Sequence, residues 1–269
     1  MGKQHSSQAP PPRTARAAAV PFSQHLLKVT EYSQEENEAI VARFEGLRVT
    51  DVVDGLDEVG LQDVTLMDQG IHPLWRDERQ FTHRICGVAV TARLVPAQEA
   101  PPVFATGEEQ RRWRAEWGRR FPRPRHSSFL KRGTILVVDA SRGRDVGWCG
   151  SENSYGWFLN GMRGIVIDGG CRDTDELILE RIPVYERAPT RGTYPGRMVG
   201  ESWNAPVNVG GVLVMPNDII VADGGGVAVV PRARAEAVAA AAHRIQDADK
   251  IARRRHYDRA GKAADFTLE

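Results

Sequence analysis

The chain has 269 residues, with 36 Lys and Arg against 35 Asp and Glu. That length buries a full core as one large domain with appendages, and so even a charge balance gives no general attraction to nucleic acid or to a membrane surface. The three cysteines, Cys86, Cys149 and Cys171, are odd in number and form no CxxC pair, which points to a reduced, cytoplasmic compartment rather than a disulfide framework.

Residues 1–25 read as a flexible extension. They carry Gln8-Ala9-Pro10-Pro11-Pro12 and scattered basic residues, with no acidic residue and no apolar segment of the secretory kind. An organelle transit peptide is the alternative reading. No run approaches the roughly 18 apolar residues of a membrane-spanning helix.

Ser33 followed by Glu35 and Glu36 predicts a capped helix running to about residue 44. Residues 50–56 read as a second cap and a short helix, on which Asp54 is an acidic surface position rather than a ligand contact. Residues 85–95 alternate as a strand. The stretch 97–131 is an insertion holding an amphipathic helix over 108–120 and then a basic loop through His126. Arginines interleaved with Trp113 and Trp117 suit RNA stacking, but balanced charge favours a subunit contact or a lid that shapes substrate choice.

From Gly133 the signals sharpen. A buried strand over 133–139, a helix over 154–160 and a strand at Ile165 predict a right-handed βαβ unit. A short helix over 175–181, a strand over 183–185 and strands over 207–209, 212–215, 219–222 and 227–230 follow, with Gly224-Gly225-Gly226 as a hairpin turn. An alanine-rich helix over 232–255 covers a sheet or a neighbouring subunit. The expected organisation is a single α/β domain over 26–232, followed by a C-terminal helix and tail over 233–269.

The most telling stretch is Ile165-Val166-Ile167-Asp168-Gly169-Gly170-Cys171-Arg172-Asp173. A buried strand here delivers a cation and a carboxylate to its carboxyl end, where α/β proteins bind ligands. Arg172 suits a bidentate grip on a carboxylate, and Asp173 suits a hard divalent metal; the plainer alternative is an Arg–Asp ion pair. Upstream, Gly147-Trp148-Cys149-Gly150-Ser151-Glu152-Asn153 opens a helix whose first amides form an anion site. Cys149 and Cys171 flank this region and read as packed residues rather than nucleophiles.

These motifs, with Pro206-Val207-Asn208-Val209-Gly210-Gly211 and the run from Pro216 to Pro231, resemble the 4-hydroxy-4-methyl-2-oxoglutarate/4-carboxy-4-hydroxy-2-oxoadipate aldolases. That family includes the regulator of ribonuclease activity A. The resemblance implies a compact α/β/β/α swivelling domain, assembled as trimers or dimers of trimers with the site near a subunit interface. It makes Asp173 the anchor of a Mg²⁺ or Mn²⁺ ion, largely through water. Arg172 becomes the clamp on a small anionic 2-oxo acid, and the amides of Gly150, Ser151, Glu152 and Asn153 bind its second carboxylate oxygen. The implied reaction is retro-aldol cleavage or decarboxylation of a 2-oxo or hydroxy diacid through a metal-stabilised enolate. Two positions depart from the family pattern: Ser151 replaces an aspartate, with Glu152 beside it as a substitute, and Arg197 stands near where a lysine is usual. The alternatives are a non-catalytic ribonuclease-regulator-like binder, or the same enolate chemistry used in isomerisation, hydration or biosynthesis.

Lesser candidates are Asp168 as a second metal ligand or a turn carboxylate, Glu201 and Asn204 as loop groups reaching the site, and His83 and His126 as proton carriers. No HExxH, nucleophile elbow or dinucleotide loop is present in the sequence.

Overall fold

The computed structural model describes residues 27–121, 128–140 and 145–268. The expected N-terminal extension and His126 lie outside these residues. Helix α1 (Gln34–Ala42) starts at Ser33 with a full capping box, since Ser33 Oγ accepts the Glu36 N–H and Glu36 accepts that of Ser33. Helix α2 (Val49–Glu58) begins ahead of the expected Thr50 cap. Its N-cap is Arg48, whose N–H donates at 2.9 Å to the buried carboxylate of first-turn Asp51, which also accepts from Gln246. An acceptor in the first turn satisfies the amides that helix geometry leaves open.

The strands and remaining helices follow in order: β1 (His72–Pro73), β2 (Ile85–Pro96), α3 (Gly107–Arg120), β3 (Thr134–Asp139), β4 (Val146–Gly147), α4 (Ser151–Leu159), β5 (Gly164–Ile167), α5 (Thr174–Leu179) and β6 (Val184–Glu186). Then come β7 (Gly192–Thr193), β8 (Met198–Trp203), β9 (Val207–Val209), β10 (Val212–Val214), β11 (Ile219–Asp223) and β12 (Gly226–Val230), and a turn of 3₁₀ helix leads into α6 (Ala235–Arg259). The main sheet has the order β1-β6-β5-β3-β2-β11-β12, with β8 also paired to β2. Strands β2, β3, β5 and β6 run parallel, and their neighbours at either side are antiparallel. The Gly224-Gly225 link joins β11 to β12 as the expected hairpin.

Alternation along the strands sends side chains into different layers. Leu136, Val138, Ile165 and Ile167 pack with Met162 and Leu177 beside α4 and α5. Val88, Ile219, Val221 and Val230 pack beneath α1, α2 and α6. Ile135, Val137 and Val166 face the other way, onto Val207, Val209, Val212 and Val214 of the β9–β10 hairpin. A mixed sheet is thus covered by helices on one side and by a second small sheet on the other, as the α/β expectation has it.

This layering decides where chemistry can sit. The parallel β3–α4–β5 unit places the loop after β3 and the loop after β5 side by side at the same sheet end. A parallel bridge from Gly147 to Gly170 and the β4–β7 pair tie those loops together. Among the described residues no helix is long and apolar enough to cross a membrane.

Candidate functional site

A cleft of about 170 Å³ opens at that sheet end, lined by Gly147, Trp148, Cys149, Gly150, Glu152, Asn153, Arg172, Asp173, Thr193 and Tyr194. Arg172 is held by its backbone, whose N–H donates to the Cys149 carbonyl at 2.9 Å. Asp173 is the N-cap residue of α5 and adopts the left-handed conformation (φ 56°, ψ 46°). An aspartate tolerates that region better than most residues, yet the conformation is still uncommon and gathers at functional sites.

Two glycines make room for the pair. A Cβ on Gly147 would lie 2.8 Å from Arg172 Cδ, and one on Gly150 would lie 3.1 Å from Asp173 Cγ. Only an absent side chain lets the Arg172 stem and the Asp173 carboxylate pack against the loop before α4. The ion pair between the two, the plainer alternative, does not form among the described residues. Among the described residues neither side chain has a hydrogen bond or salt-bridge partner, so both are available to a ligand.

Helix α4 supplies the third component. Gly150 is its N-cap and offers no side chain to the first turn, whose first intrahelical amide, Ser154 N–H, already bonds the Gly150 carbonyl. The Ser151 and Glu152 amides precede it and have no intrahelical acceptor by helix geometry, so they form an anion-binding mouth. Glu152 and Asn153 line the cleft and contact each other through their side chains, whereas the Ser151 side chain is not part of the lining. Arg197 sits outside the lining and donates to the Thr193 carbonyl at 2.8 Å.

The structure directs several candidates elsewhere. Asp168 is spent on a salt bridge with Arg187 and on the Gly210 N–H at 2.9 Å, so it is a structural carboxylate. Asn204 lines a different cleft, with Tyr32 and Lys131, and Glu201 is exposed on β8. His83 lines another cleft, where its Nδ1 accepts the Asp77 N–H at 3.1 Å and burial lowers its pKa. Asp54 is exposed on α2. Cys149 and Cys171 touch at 3.3 Å between sulfurs, both buried, and the Cys171 thiol is pushed up by the Cys149 contact and by burial. A thiol held neutral in this way is a poor nucleophile.

Sequence reasoning missed one buried group beside the site. Glu186, at the end of β6, accepts the Cys171 N–H at 2.6 Å through Oε2, while Oε1 is buried with no partner among the described residues. Burial pushes its pKa up to about 7. The only sequence signal was its place at the carboxyl end of a parallel strand. The cleft walls Thr193 and Tyr194 were likewise not assigned from sequence.

Residues 49–229 match the profile of the RraA-like family, described as Aldolase/RraA. The chain belongs to the RraA-like family. Within that family, it is 36% identical over 128 residues to a Halalkalibacterium halodurans protein carrying the provisional name 4-hydroxy-4-methyl-2-oxoglutarate aldolase, a match covering 46% of this chain and 58% of that protein. A Burkholderia mallei protein with the same provisional name is 37% identical over 97 residues, covering 36% of this chain and 58% of the relative. The chain therefore spans about three-fifths of the length of the curated relatives it matches. Among solved structures, Streptomyces coelicolor RraAS2, described as an unusual member of the RNase ES inhibitor RraA family, superposes with a TM-score of 0.63 at 22% identity, over 81% of this chain and 98% of that one. That likeness shows the RraA-like fold.

Proposed function

We propose that this RraA-like protein is a divalent-metal-dependent carbon–carbon lyase that cleaves or decarboxylates a small 2-oxo or hydroxy diacid. The observation that carries the proposal is the Arg172–Asp173 pair, without side-chain partners among the described residues, lining one small cleft with the N-terminus of α4. Among the described residues no three His, Cys, Asp or Glu side chains converge, so a cation here would rest on Asp173 with water completing its shell, which suits Mg²⁺ or Mn²⁺. When bound, that cation would supply positive charge against the oxyanion that develops as the carbon–carbon bond breaks. Arg172 binds the substrate carboxylate and the 2-oxo oxygen through its planar fork. The Ser151 and Glu152 amides take the remaining carboxylate oxygen. Trp148 and Tyr194 wall the cleft and limit water, which strengthens each of these charge contacts. Glu152 is the lining carboxylate placed to carry a proton to or from the reacting group. A homotrimer or a dimer of trimers is the assembly this reading carries.

The absence of the Ser151 side chain from the lining supports a second reading, in which the scaffold serves as a ribonuclease-regulator-like binding protein. One experiment separates the two. Pyruvate release is measured from 4-hydroxy-2-oxo diacids and oxaloacetate with Mg²⁺ or Mn²⁺ and with chelator, beside Arg172→Ala and Asp173→Asn. Metal-dependent turnover lost in both variants supports the lyase; no turnover by folded wild-type protein removes it and leaves the binder.

A further inference from the structure

The 97–131 insertion does not stand apart from the site. Helix α3 is capped by Thr106, whose Oγ1 accepts the Glu109 N–H, and its far end is clamped by the bidentate Arg120–Glu99 pair at 2.7 Å. Phe104, Trp113, Trp117 and Phe121 stack in a row along it, with ring centroids 5.4, 5.2 and 4.7 Å apart. Within the row, Trp113 makes a close approach to the turn that walls the cleft. A Cβ on Gly196, which has φ +77°, would lie 2.6 Å from Trp113 Cη2, so the indole occupies space that only glycine leaves open. Trp113 thus docks α3 on the very turn that carries Thr193 and Tyr194.

Docking fixes the next side chain. Arg114 Nη2 lies 3.3 Å from Thr193 Oγ1, while Arg197 Nη1 donates to the Thr193 carbonyl at 2.8 Å. Two guanidinium groups therefore bracket one cleft-lining residue from either side. Two arginines near the far end of the same helix meet carboxylates, Arg119 with Glu116 and Arg120 with Glu99. Arg114 and Arg197 meet none among the described residues, and both are exposed at the rim. Arg172 sits deeper, beside Asp173. At about 170 Å³ the cleft is small beside the roughly 300–1,000 Å³ of larger ligand pockets, so Arg172 and Thr193 share one narrow space.

We propose that Arg114, seconded by Arg197, is a specificity-determining residue that receives the second anionic group of the substrate. The inserted helix is then what makes a diacid, rather than a monoacid, the preferred partner of the site. This rests on the lyase reading for the reaction but not for the charge recognition. Arginine suits the role because its rigid fork matches a carboxylate, and rim placement lets the second group be read without burying an unpaired charge.

The test uses the full chain with Mg²⁺ and two probes, 2-oxoglutarate and its 5-monomethyl ester, titrated by calorimetry into wild type, Arg114→Ala and Arg114→Lys. Wild type is expected to bind the diacid on the order of tenfold tighter than the ester. Arg114→Ala is expected to bind both equally, with unchanged circular dichroism, and Arg114→Lys to recover part of the preference. A wild type without the preference, or an alanine variant that retains it, overturns the proposal. KM and kcat on 4-hydroxy-2-oxo diacids are measured alongside, where Arg114→Ala is expected to raise KM and leave kcat within about threefold. A preference that depends on Arg114 in a protein with no turnover sinks the lyase and keeps the recognition. Turnover indifferent to Arg114, with no binding preference, does the reverse.

Discussion

The Asp173 carboxylate lies where a side chain at position 150 would have to go, with its Cγ 3.1 Å from an ideal Cβ on Gly150. The N-cap of one helix has given up its side chain so that the N-cap residue of another can rest against it. Gly150→Ala is therefore expected to displace Asp173 and lower metal-dependent turnover on the order of a hundredfold or more, as small misplacements of site groups do. The backbone at Gly150 is extended (φ −131°), which alanine accepts, so the melting temperature should fall by no more than a few degrees. Turnover equal to wild type would show that the carboxylate does not need this position.

Backbone conformation gives a separate handle on Asp173. At φ 56° glycine is unstrained, aspartate and asparagine are tolerated, and other residues with a Cβ are strained. Asp173→Asn and Asp173→Gly should unfold at nearly the wild-type denaturant midpoint, while Asp173→Ala should lose about 1 kcal/mol. All three should lose activity and metal affinity alike. A ranking of stabilities in any other order would mean that the carboxylate itself stabilises the turn.

Glu186 makes stability depend on pH. Its folded pKa of about 7 is raised above the usual carboxylate value of 4.5, so the folded state holds a proton that the unfolded chain releases. The contribution is fully present below about pH 4.5 and is lost as pH rises through about 7, amounting to roughly 3 kcal/mol. Glu186→Gln keeps an acceptor for the Cys171 N–H and should flatten the decline in stability between pH 5 and pH 8. Buried Asp218, raised to about 6 by burial, leaves a smaller decline of the same sign. Parallel slopes for wild type and Glu186→Gln, read by urea melts across that range, would show that Glu186 is ionised in the fold.

The two sulfurs behind the site should be silent. Cys171 is buried with its thiol held neutral, so native protein should resist iodoacetamide at this residue and react only on unfolding. Cys171→Ala should retain turnover to within about threefold while losing about 1 kcal/mol to the small cavity. Rapid labelling of the native protein, mapped by mass spectrometry to Cys171, would contradict this.

Much of the fold was legible because its signals are local. The β-branched runs of β3, β5, β11 and β12 and the Ser33 capping box each carry their instruction within a few residues. The start of α2 differs from the expected Thr50 cap because its N-cap is Arg48, a residue with no capping side-chain acceptor, secured by Asp51 reaching back from the first turn. Strand β8 went unread because it is half exposed, with Gly200 and Glu201 breaking alternation, and it pairs with β2 across an irregularity at Arg93/Leu94. At the site, Arg172 and Asp173 were visible as a motif, since one strand end carries both. The cleft walls at Thr193 and Tyr194, the buried Glu186 and the rim position of Arg114 depend on which distant loops meet, and no spacing along the chain encodes that. Asp168 shows the converse: its position beside the motif left a metal ligand and a turn carboxylate both open, and its partners Arg187 and Gly210 decide for the architectural role.

That role reaches further than one turn. Asp168 directly follows β5, five residues before Asp173, and its bond to the Gly210 amide fastens the loop bearing Arg172 and Asp173 to the turn between β9 and β10. Arg187 completes the tie by holding Asp68 at 2.8 Å, beside the Asp68 amide that also bonds Gly210. The small hairpin sheet, which contributes no residue to the cleft lining among the described residues, thereby acts as the keystone of the loop proposed to grip substrate. Damage to that hairpin should surface as lost catalysis before it surfaces as lost folding.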